Sequence, residues 1–420
     1  MKRKEKTKKK KHILKDKYRS FRKYSEEFFQ KSFFSMFEVL ILIVIAILFG
    51  ILIGYLVTNH HNPSDKNIAE IIDTYNNILD NYYEDVDSKE LSDAAIKGMV
   101  QSLKDPYSNF MDEDNTSQFT EDVEGSFIGI GVTVLFEEEG YHRVIEVLEG
   151  GPAEKAGVQA DDVIIEVDGK SVLNVSGDDF TNLVRGKRGT EVIITVRRGE
   201  EEKEIKIKRD VVEINSVSSK TFDSEVGKIG YIHIESFAAN TYSQFSKNLK
   251  KLEKEGIESL IIDVRDNPGG YLLQTQEILS LFLPRKTLLY QIESKNSKKK
   301  IYSSSKESRS YPIAVIVNSG SASASEILAS AIQDVYPKGI VVGQQSYGKG
   351  SVQKPKYLKN GSSIRYTTQK WLTAKGKSIE GKGIKPDVIV EQSNEYYENP
   401  SDDTDFQLQE TINKLKESMQ

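Results

Sequence analysis

The sequence predicts an α/β protein with helices near its N-terminus, a mostly β region in the middle and one membrane-spanning helix ahead of both. Three patterns support this prediction. An uncharged apolar run occupies Val39–Val57, short strand-like segments begin near residue 127, and β-branched runs alternate with helical stretches from residue 228. Runs with little polar alternation are typical of strands buried on both faces of a sheet. The 420 residues are enough for two or three domains.

The composition separates a basic tail from an acidic body. Residues 1–37 carry 14 Lys and Arg residues against four Asp and Glu, whereas the whole chain has a net charge of -5. Hydrophobic residues make up 38% of the chain and charged residues 29%, which is typical of a soluble globular body rather than a polytopic membrane protein. There is no cysteine and there are only five histidines, which excludes disulfides and cysteine nucleophiles. We therefore expect no metal and no cofactor.

The apolar run Val39–Val57 predicts a transmembrane helix at residues 38–58. At about 1.5 Å per residue it would span roughly 28 Å, the thickness of a bilayer core. A buried core helix would show a polar stripe, and a cleaved signal peptide would have a shorter apolar run and a small-residue cleavage site. The basic tail at 1–37 should remain in the cytoplasm, which puts the body outside the cell membrane. The tail lacks a folded nucleic-acid motif, so we expect no nucleic-acid partner.

Residues 62–115 predict an N-terminal helical region. Isoleucines recur at helical spacing from Ile68, and Asp87-Ser-Lys-Glu90 offers a cap for a second helix over Leu91–Leu103. Pro106 ends that helix, because the residue before a proline disfavours the helical conformation. The acidic stretch at 112–122 predicts a loop or a short helix.

Residues 116–208 predict a mostly β domain whose order of elements resembles a PDZ domain. The most specific part is Gly151–Gly169, where a short helix closed by glycine is followed by a strand and a tight turn. A glycine-rich loop turns backbone N–H groups toward one point and holds a terminal carboxylate, and the strand after it offers an edge to an extended peptide. We expect Gly129, Ile130 and Gly131 to form this loop. The alternative is that these glycines serve only a tight turn.

Residues 209–390 predict an α/β core. Four apolar runs predict buried strands, at Gly230–Ile234, Leu260–Val264, Ile313–Val317 and Ile340–Gly343. Helical stretches separate them, at Ala238–Glu255, Gln274–Phe282 and Ser323–Val335. The segment 292–310, rich in Ser and Lys, predicts a surface excursion. At 391–420 we expect an acidic linker and a last amphipathic helix over Phe406–Met419.

Three segments that could hold catalytic residues each follow a buried strand. Asn318–Ile327 places serines at a strand-to-helix turn, Asp263–Gly270 contains a Pro-Gly-Gly turn, and Ser346–Gln353 holds a lysine between glycines. Taken singly, each segment has a structural explanation: the first could be a serine N-cap of a helix, the second a structural turn and the third a loop with an exposed lysine. Taken together at one sheet edge, they are typical of a single site with a nucleophile, a base and an oxyanion site.

The ordered set of motifs resembles the carboxy-terminal processing proteases, also called tail-specific proteases, which are serine peptidases with a Ser-Lys dyad. The resemblance covers about residues 66–390 and implies a crotonase-like α/β protease core. It rests on the PDZ segment and on Asp105–Ser108, Asn267–Gly270, Gly320–Glu326, Tyr347–Gly350, Gln353 and Gly376–Asp387.

The resemblance implies a role for each matching residue. The serine followed by Ala-Ser-Glu is the nucleophile, Ser323, and its neighbours Ser321 and Ser325 are the nearest alternatives. The base is Lys349, and Gln353 orients it. The oxyanion donors are the N–H groups of Ala324 and of the Pro-Gly-Gly turn, with Gly269 preferred and Gly270 the alternative.

The chain departs from the family pattern in two places. Asp266 replaces a commoner glycine or asparagine, and the Ser-to-Lys interval is one residue longer, which we attribute to the loop Tyr336–Gly339. Neither departure alters a proposed catalytic residue.

The resemblance implies a membrane-anchored serine endopeptidase that takes protein substrates with accessible C-termini. It is compatible with a homodimer or a higher oligomer formed through the helical ends. The alternatives are a membrane-tethered PDZ scaffold with an inactive protease core and a different enzyme on a crotonase-like core. Retention of Ser323, Lys349 and Gln353 argues against a scaffold, which needs none of them.

Overall fold

The computed structural model describes residues 15, 17–25, 36–58, 65–137, 140–305 and 308–420. The chain divides into two compact units, of which the second comprises Asp93–Gln420. The predicted cytoplasmic tail at 1–37 lies largely outside the described residues, apart from a helical stretch at 17–25.

The N-terminal part is helical, as predicted. Its helices are α1 (Met36–Thr58), α2 (Asp65–Asn81) and α3 (Ser88–Gln101). Asp87 caps α3, because its Oδ1 accepts hydrogen bonds from the backbone N–H groups of Lys89 and Glu90. Side chains of α1 are described only for residues 40–52. Among the described residues, the structure contains no helix that is both long and apolar enough to cross a membrane.

Three helices and eight strands lead into and form the predicted PDZ region. They are β1 (Asn109–Met111), α4 (Glu113–Glu124), β2 (Ser126–Gly129), β3 (Val132–Phe136), β4 (His142–Val147), α5 (Pro152–Ala156), β5 (Val163–Val167), β6 (Lys170–Ser171), α6 (Gly177–Val184), β7 (Glu191–Arg198) and β8 (Glu201–Lys208). The acidic stretch after β1 is therefore a helix, and Asp112 caps it by accepting from the N–H of Asn115 at 2.9 Å. The sheet has the order β3-β4-β5-β7-β8, with β6 paired to β5.

The α/β core is built on a six-stranded sheet. Its elements are β9 (Asp210–Glu213), β10 (Val217–Ser224), β11 (Gly227–Ile234), α7 (Thr241–Lys254), β12 (Ile257–Asp263), α8 (Leu272–Ser280), β13 (Leu288–Ser294), β14 (Ser297–Tyr302), β15 (Ile313–Val317), α9 (Ala324–Val335), β16 (Gly339–Gly343), β17 (Ser351–Tyr357), β18 (Ser363–Thr373) and β19 (Val388–Ile389). The sheet order is β10-β11-β12-β15-β16-β19, and all pairs from β11 onward are parallel. The four predicted buried strands are β11, β12, β15 and β16.

The predicted surface excursion at 292–310 begins as a regular hairpin rather than a loop. β13 and β14 form an antiparallel hairpin from Leu288 to Tyr302, and β13 continues a second sheet by pairing with β18. β14 reads Ser-Lys-Lys-Lys-Ile-Tyr and is largely exposed. It is an edge strand, and charged side chains are common on the solvent side of such edges.

The C-terminal segment, residues 391–420, packs against the core. The prediction of an acidic linker at its start is therefore wrong. It contains α10 (Asn394–Glu398) and α11 (Phe406–Met419), the latter as predicted. Leu408 and Leu415 of α11 are buried against Ile261 and Ile316 of the sheet. Asp405 caps α11 and is itself buried. Helices therefore cover both faces of the parallel sheet.

Candidate active site

The three predicted site segments lie together because their strands are neighbours. β12, β15 and β16 run parallel, and Asp263 pairs with Ile316 while Val317 pairs with Gly343. Their carboxyl ends therefore reach the same edge of the sheet, where the turns carrying the predicted oxyanion site, nucleophile and base begin.

Ser323 occupies a strained position at the start of α9. Its φ of 56° and ψ of -110° lie in a region that residues with a Cβ rarely adopt. Such strain is retained only where the surroundings enforce it, and it is common at functional sites. The turn also brings the residue to the N-terminal end of α9, where backbone N–H groups favour negative charge.

The two neighbouring serines are engaged elsewhere. Ser321 and Ser325 are fully buried, whereas Ser323 is partly exposed. The Oγ of Ser321 donates to the carbonyl of Val264 at 2.7 Å, and the Oγ of Ser325 donates to the carbonyl of Asn267 at 2.9 Å. Of the three candidate nucleophiles, only Ser323 is therefore accessible to a substrate.

The Pro-Gly-Gly turn packs directly against Ser323. A Cβ built on Gly269 would lie 2.8 Å from the Cβ of Ser323 and 3.0 Å from the backbone nitrogen of Ala324. Gly269 also has a φ of 102°, so both space and backbone conformation require glycine. Its own N–H donates to Oδ1 of Asn267 at 2.8 Å.

The N–H groups of Gly270 and Ala324 have no hydrogen-bond partner among the described residues. Since the N–H of Gly269 is engaged, the geometry favours Gly270 over Gly269 as the donor from this turn. Ala324 is the first residue of α9, where an N–H lacks an intrahelical acceptor.

Asp266 ties the oxyanion turn to the nucleophile turn. Its N–H donates to Oδ1 of Asn318 at 2.9 Å, and Nδ2 of Asn318 donates back to Oδ1 of Asp266 at 2.9 Å. Oδ1 of Asn318 also accepts from the N–H of Gly320. Asp266 has a φ of 55°, a conformation that Asp tolerates better than most residues. This departure from the family pattern therefore fits its position.

Lys349 lies in a half-buried loop after β16. Burial lowers the pKa of its amine, and the positive charge of Arg365 lowers it further, while Glu326, Asp105 and Glu380 act in the opposite direction. Its Nζ lies 5.1 Å from the centre of the Tyr107 ring. Its carbonyl accepts from the indole N–H of Trp371 at 2.8 Å. This environment favours the neutral amine that a general base requires.

Glu326 joins the nucleophile turn to the lysine loop. Its Oε2 accepts from the N–H groups of Ser323 at 2.8 Å and Lys349 at 2.9 Å. Its Oε1 accepts from the N–H of Gly348 at 2.7 Å and the Oγ of Ser346 at 2.6 Å. Burial raises the pKa of Glu326, whereas these four donors oppose the rise. Glu326 has no role in the predictions from sequence, although its spacing of three from Ser323 is that of a capping box.

Gln353 has partners other than the lysine it is predicted to orient. Its Nε2 donates to the Oγ of Ser351 at 2.9 Å and to Oγ1 of Thr367 at 3.0 Å. Its connection to Lys349 within the described structure therefore passes through the β17–β18 pair rather than through a direct hydrogen bond.

The predicted carboxylate-binding loop joins β2 to β3. Gly129 pairs with Asp210 of β9, and Gly131 has a φ of 81°. The carbonyls of Ile130 and Gly131 accept from Ala153 and Leu148, but their N–H groups have no partner among the described residues. β3 is an edge strand of its sheet. Free N–H groups beside an open strand edge fit the capture of a peptide terminus.

Comparison with known families matches three parts of the chain. Peptidase family S41 matches residues 228–390, a PDZ domain matches residues 143–198, and the activating protease CtpB N-terminal domain matches residues 56–115. The S41 match includes all the residues of the predicted nucleophile, oxyanion and lysine turns.

Individual relatives agree with these matches. A probable CtpA-like serine protease of Staphylococcus haemolyticus (strain JCSC1435) is 40% identical over 326 residues, covering 77% of this chain and 64% of that protein. Its counterpart in Staphylococcus aureus (strain COL) is 39% identical over 328 residues, covering 77% of this chain and 65% of that protein. The chain thus spans slightly less than two thirds of these relatives.

Among solved structures, the photosystem II D1 C-terminal processing protease matches with 26% identity and a TM-score of 0.46, covering 77% of this chain and 86% of that one. The sequence matches agree with the resemblance inferred from the motifs: residues 228–390 are similar to peptidase family S41, residues 143–198 are similar to a PDZ domain, and the relatives are named probable CtpA-like serine proteases.

Proposed function

We propose that this protein is a serine endopeptidase in which Ser323 is the nucleophile and Lys349 the general base. The observation that carries the proposal is the shared carboxylate of Glu326, which accepts from the N–H groups of both residues. It supports the proposal because a nucleophile and its base must be held at a fixed separation.

The reaction is acyl transfer. Neutral Lys349 accepts the proton of the Ser323 hydroxyl as Oγ attacks the carbonyl carbon of the scissile peptide bond. The N–H groups of Ala324 and of the Pro-Gly-Gly turn, Gly270 in preference to Gly269, stabilise the oxyanion. The lysine ammonium returns its proton to the leaving amine, and water then hydrolyses the acyl-enzyme. Gln353 supports the lysine loop through Ser351 and Thr367.

The substrates are proteins with an accessible C-terminus. The N–H groups of Ile130 and Gly131 bind the terminal carboxylate, and the residues before it extend along the open edge of β3. The loop requires glycine at both positions, since Gly131 has a φ of 81° and a Cβ on Gly129 would lie 2.9 Å from the ring of Phe127.

The body is tethered to the cell membrane by residues 38–58, with the N-terminus in the cytoplasm. Only the sequence supports this part of the proposal, through the uncharged run Val39–Val57 and the basic residues before it. Resistance of the full-length protein to carbonate extraction, with digestion of the body by an externally added protease, would support it. Extraction with the soluble fraction would overturn it.

Tail-dependent cleavage tests the proposed activity. Two loosely folded substrates that differ only in the last residues, one ending in a free apolar tail and one amidated, are incubated with wild type, Ser323→Ala and Lys349→Ala. We expect cleavage of the free-tailed substrate by wild type alone. A Gly131→Val variant should raise KM for that substrate and leave kcat nearly unchanged. Equal cleavage of both substrates by wild type would contradict the role of the PDZ domain.

A further inference from the structure

The turn at Asp105–Ser108 is a sequence motif to which the proposed mechanism gives no task. It lies between α3 and β1, far in sequence from both Ser323 and Lys349. Nevertheless its tyrosine faces the proposed base, because Nζ of Lys349 lies 5.1 Å from the centre of the Tyr107 ring. Tyr107 is half-buried and belongs to the same compact unit as the active site.

The turn is held rigidly in this position. Oδ2 of Asp105 accepts from the Oγ of Ser108 at 2.5 Å, and its Oδ1 accepts from the N–H of Tyr107 at 3.0 Å. The Oγ of Ser108 accepts from the N–H of Thr367 in β18 at 3.2 Å. The hydroxyl of Thr367 in turn accepts from Gln353 at 3.0 Å. Thr367 of β18 therefore contacts both the turn and Gln353, the residue predicted to support the base.

The amine of Lys349 has no ion-pair partner in the described part of the chain. A carboxylate in direct contact would hold the lysine in its ammonium form and prevent it from acting as a base. An aromatic face attracts an ammonium group more weakly, through the ring quadrupole. Such a partner permits the neutral amine in the resting enzyme and stabilises the positive charge that appears when the amine accepts a proton.

We propose that Tyr107 is a positioning residue for the general base, whose ring face holds Lys349 and stabilises the lysine ammonium formed as Ser323 loses its proton. This inference rests on the proposed function of Lys349. Because the ammonium is present in the transition state and absent in the resting base, the contact lowers the barrier rather than tightening substrate binding. Its loss should therefore lower kcat and leave KM nearly unchanged.

The ring and the hydroxyl of Tyr107 make separable contributions. Burial, together with the neighbouring Tyr347, raises the pKa of the Tyr107 hydroxyl to about 12. Tyr107→Phe removes the hydroxyl and keeps the ring, so kcat should remain within about threefold of wild type. A role carried by the hydroxyl would instead make this variant as poor as one that lacks the ring.

The decisive experiment replaces Tyr107 with phenylalanine and then with mono-, di- and trifluorinated phenylalanine in the full chain. Fluorination weakens the negative face of the ring while its shape hardly changes, so loss of folding does not obscure the result. We expect kcat to fall stepwise by about tenfold across the series, with KM within about twofold. The same series at Tyr302, an exposed residue of β14, should leave kcat unchanged.

The pH profile gives a second readout. A weaker ring stabilises the ammonium less, so the acidic limb of kcat/KM should move to lower pH across the series. The charged groups that act on Lys349 stay the same throughout, namely Arg365, Glu326, Asp105 and Glu380. A flat kcat across the series at position 107 would overturn the inference. Activity that survives Lys349→Ala would instead overturn the proposed function, so the two failures are distinguishable.

Discussion

Glu326 accepts a hydrogen bond from the backbone N–H of Lys349 at 2.9 Å, although the two residues are 23 positions apart in the chain. The same carboxylate oxygen accepts from the N–H of Ser323. One buried side chain therefore links the lysine loop to the nucleophile, and it takes no part itself in the proposed chemistry.

Glu326→Gln tests this link. A glutamine has one acceptor oxygen in place of two, so at least one of the four donors around it loses its partner or faces an NH₂ group. Hydrogen bonds to a charged group contribute about 1.5–3 kcal/mol each. We expect kcat to fall by at least about tenfold and the free energy of unfolding to fall by about 2 kcal/mol. Glu225→Gln, in an exposed turn, is the matched control. If Glu326→Gln were as active and as stable as Glu225→Gln, the assignment would be contradicted.

Arg365 should set the pH range of activity. Burial and the charge of Arg365 lower the pKa of Lys349, which is active only when neutral, so activity falls as the pH drops through that pKa. Removing the positive charge with Arg365→Gln favours the ammonium and should move the acidic limb of kcat/KM to higher pH. Arg365→Lys keeps the charge and should leave the limb in place. A limb that stays in place or moves to lower pH in Arg365→Gln would contradict this effect of the charge.

The backbone conformation at Ser323 should lower the free energy of unfolding for any residue there other than glycine. Ser323→Ala and Ser323→Gly both remove the nucleophile, but only glycine adopts a φ of 56° without strain. Such strain costs about 1–3 kcal/mol, so we expect the glycine variant to be more stable than the alanine variant by about 1 kcal/mol in denaturant unfolding. Equal stability of the two variants would mean that the turn is not strained.

Gly269 tolerates no side chain. A Cβ there would lie 2.8 Å from both the carbonyl oxygen of Ala322 and the Cβ of Ser323, and the φ is positive as well. We expect Gly269→Ala to abolish turnover and to cost more than about 3 kcal/mol of stability. Gly199 has a positive φ but no atom near its missing Cβ, so Gly199→Ala isolates the backbone cost of about 1 kcal/mol. Similar losses in both variants would show that packing at Gly269 is unimportant.

The ion pair between Asp405 and Arg265 should stabilise the packing of the C-terminal segment against the core. Its carboxylate binds the guanidinium of Arg265 through two contacts of 2.9 and 2.7 Å, and both side chains are almost fully buried. Arg265 keeps Asp263 as a second partner, so we expect Asp405→Ala to cost about 1.5–3 kcal/mol at neutral pH, the contribution of hydrogen bonds to a charged group, rather than the larger cost of an unpaired buried charge.

The contribution of Asp405 should also depend on pH. Burial tends to raise the pKa of Asp405, but the hydrogen bonds and charge of Arg265 outweigh it and lower the pKa below the ordinary value of 3.8. The stabilisation is therefore present above that value and is lost as the pH falls through the lowered pKa. The stability difference between wild type and Asp405→Ala should shrink in acid. A difference that stays constant to the lowest measurable pH would contradict the ion-pair account.

The sequence predicts those parts of the fold whose burial is visible in the pattern. β12, β15 and β16 are continuous apolar runs, and the order of their following turns is enough to place the site segments at one sheet edge. β14 was missed because three lysines interrupt the pattern of this exposed edge strand. The segment before α11 looked like a linker because its acidic composition gives no sign that Arg265 pairs with Asp405.

Some features of the candidate site are likewise predictable from the sequence, whereas others depend on the folded structure. The family resemblance implies Ser323 and Lys349 and leaves Ser321 and Ser325 as alternatives, which the hydrogen bonds of these two serines to Val264 and Asn267 make inaccessible. The preference for Gly270 over Gly269 depends on the side chain of Asn267, whose orientation no local pattern predicts. Long-range contacts of this kind depend on the assembled sheet rather than on neighbouring residues in the chain.

Ser323 as the nucleophile and Lys349 as the base that activates it can be tested together. The most direct test is labelling of the full chain with a fluorophosphonate, followed by mass spectrometry of the modified peptide. We predict a single adduct on Ser323 in wild type, and loss of labelling in Lys349→Ala with the fold retained by circular dichroism. An adduct on Ser321 or Ser325, or undiminished labelling of Lys349→Ala, would contradict the claim.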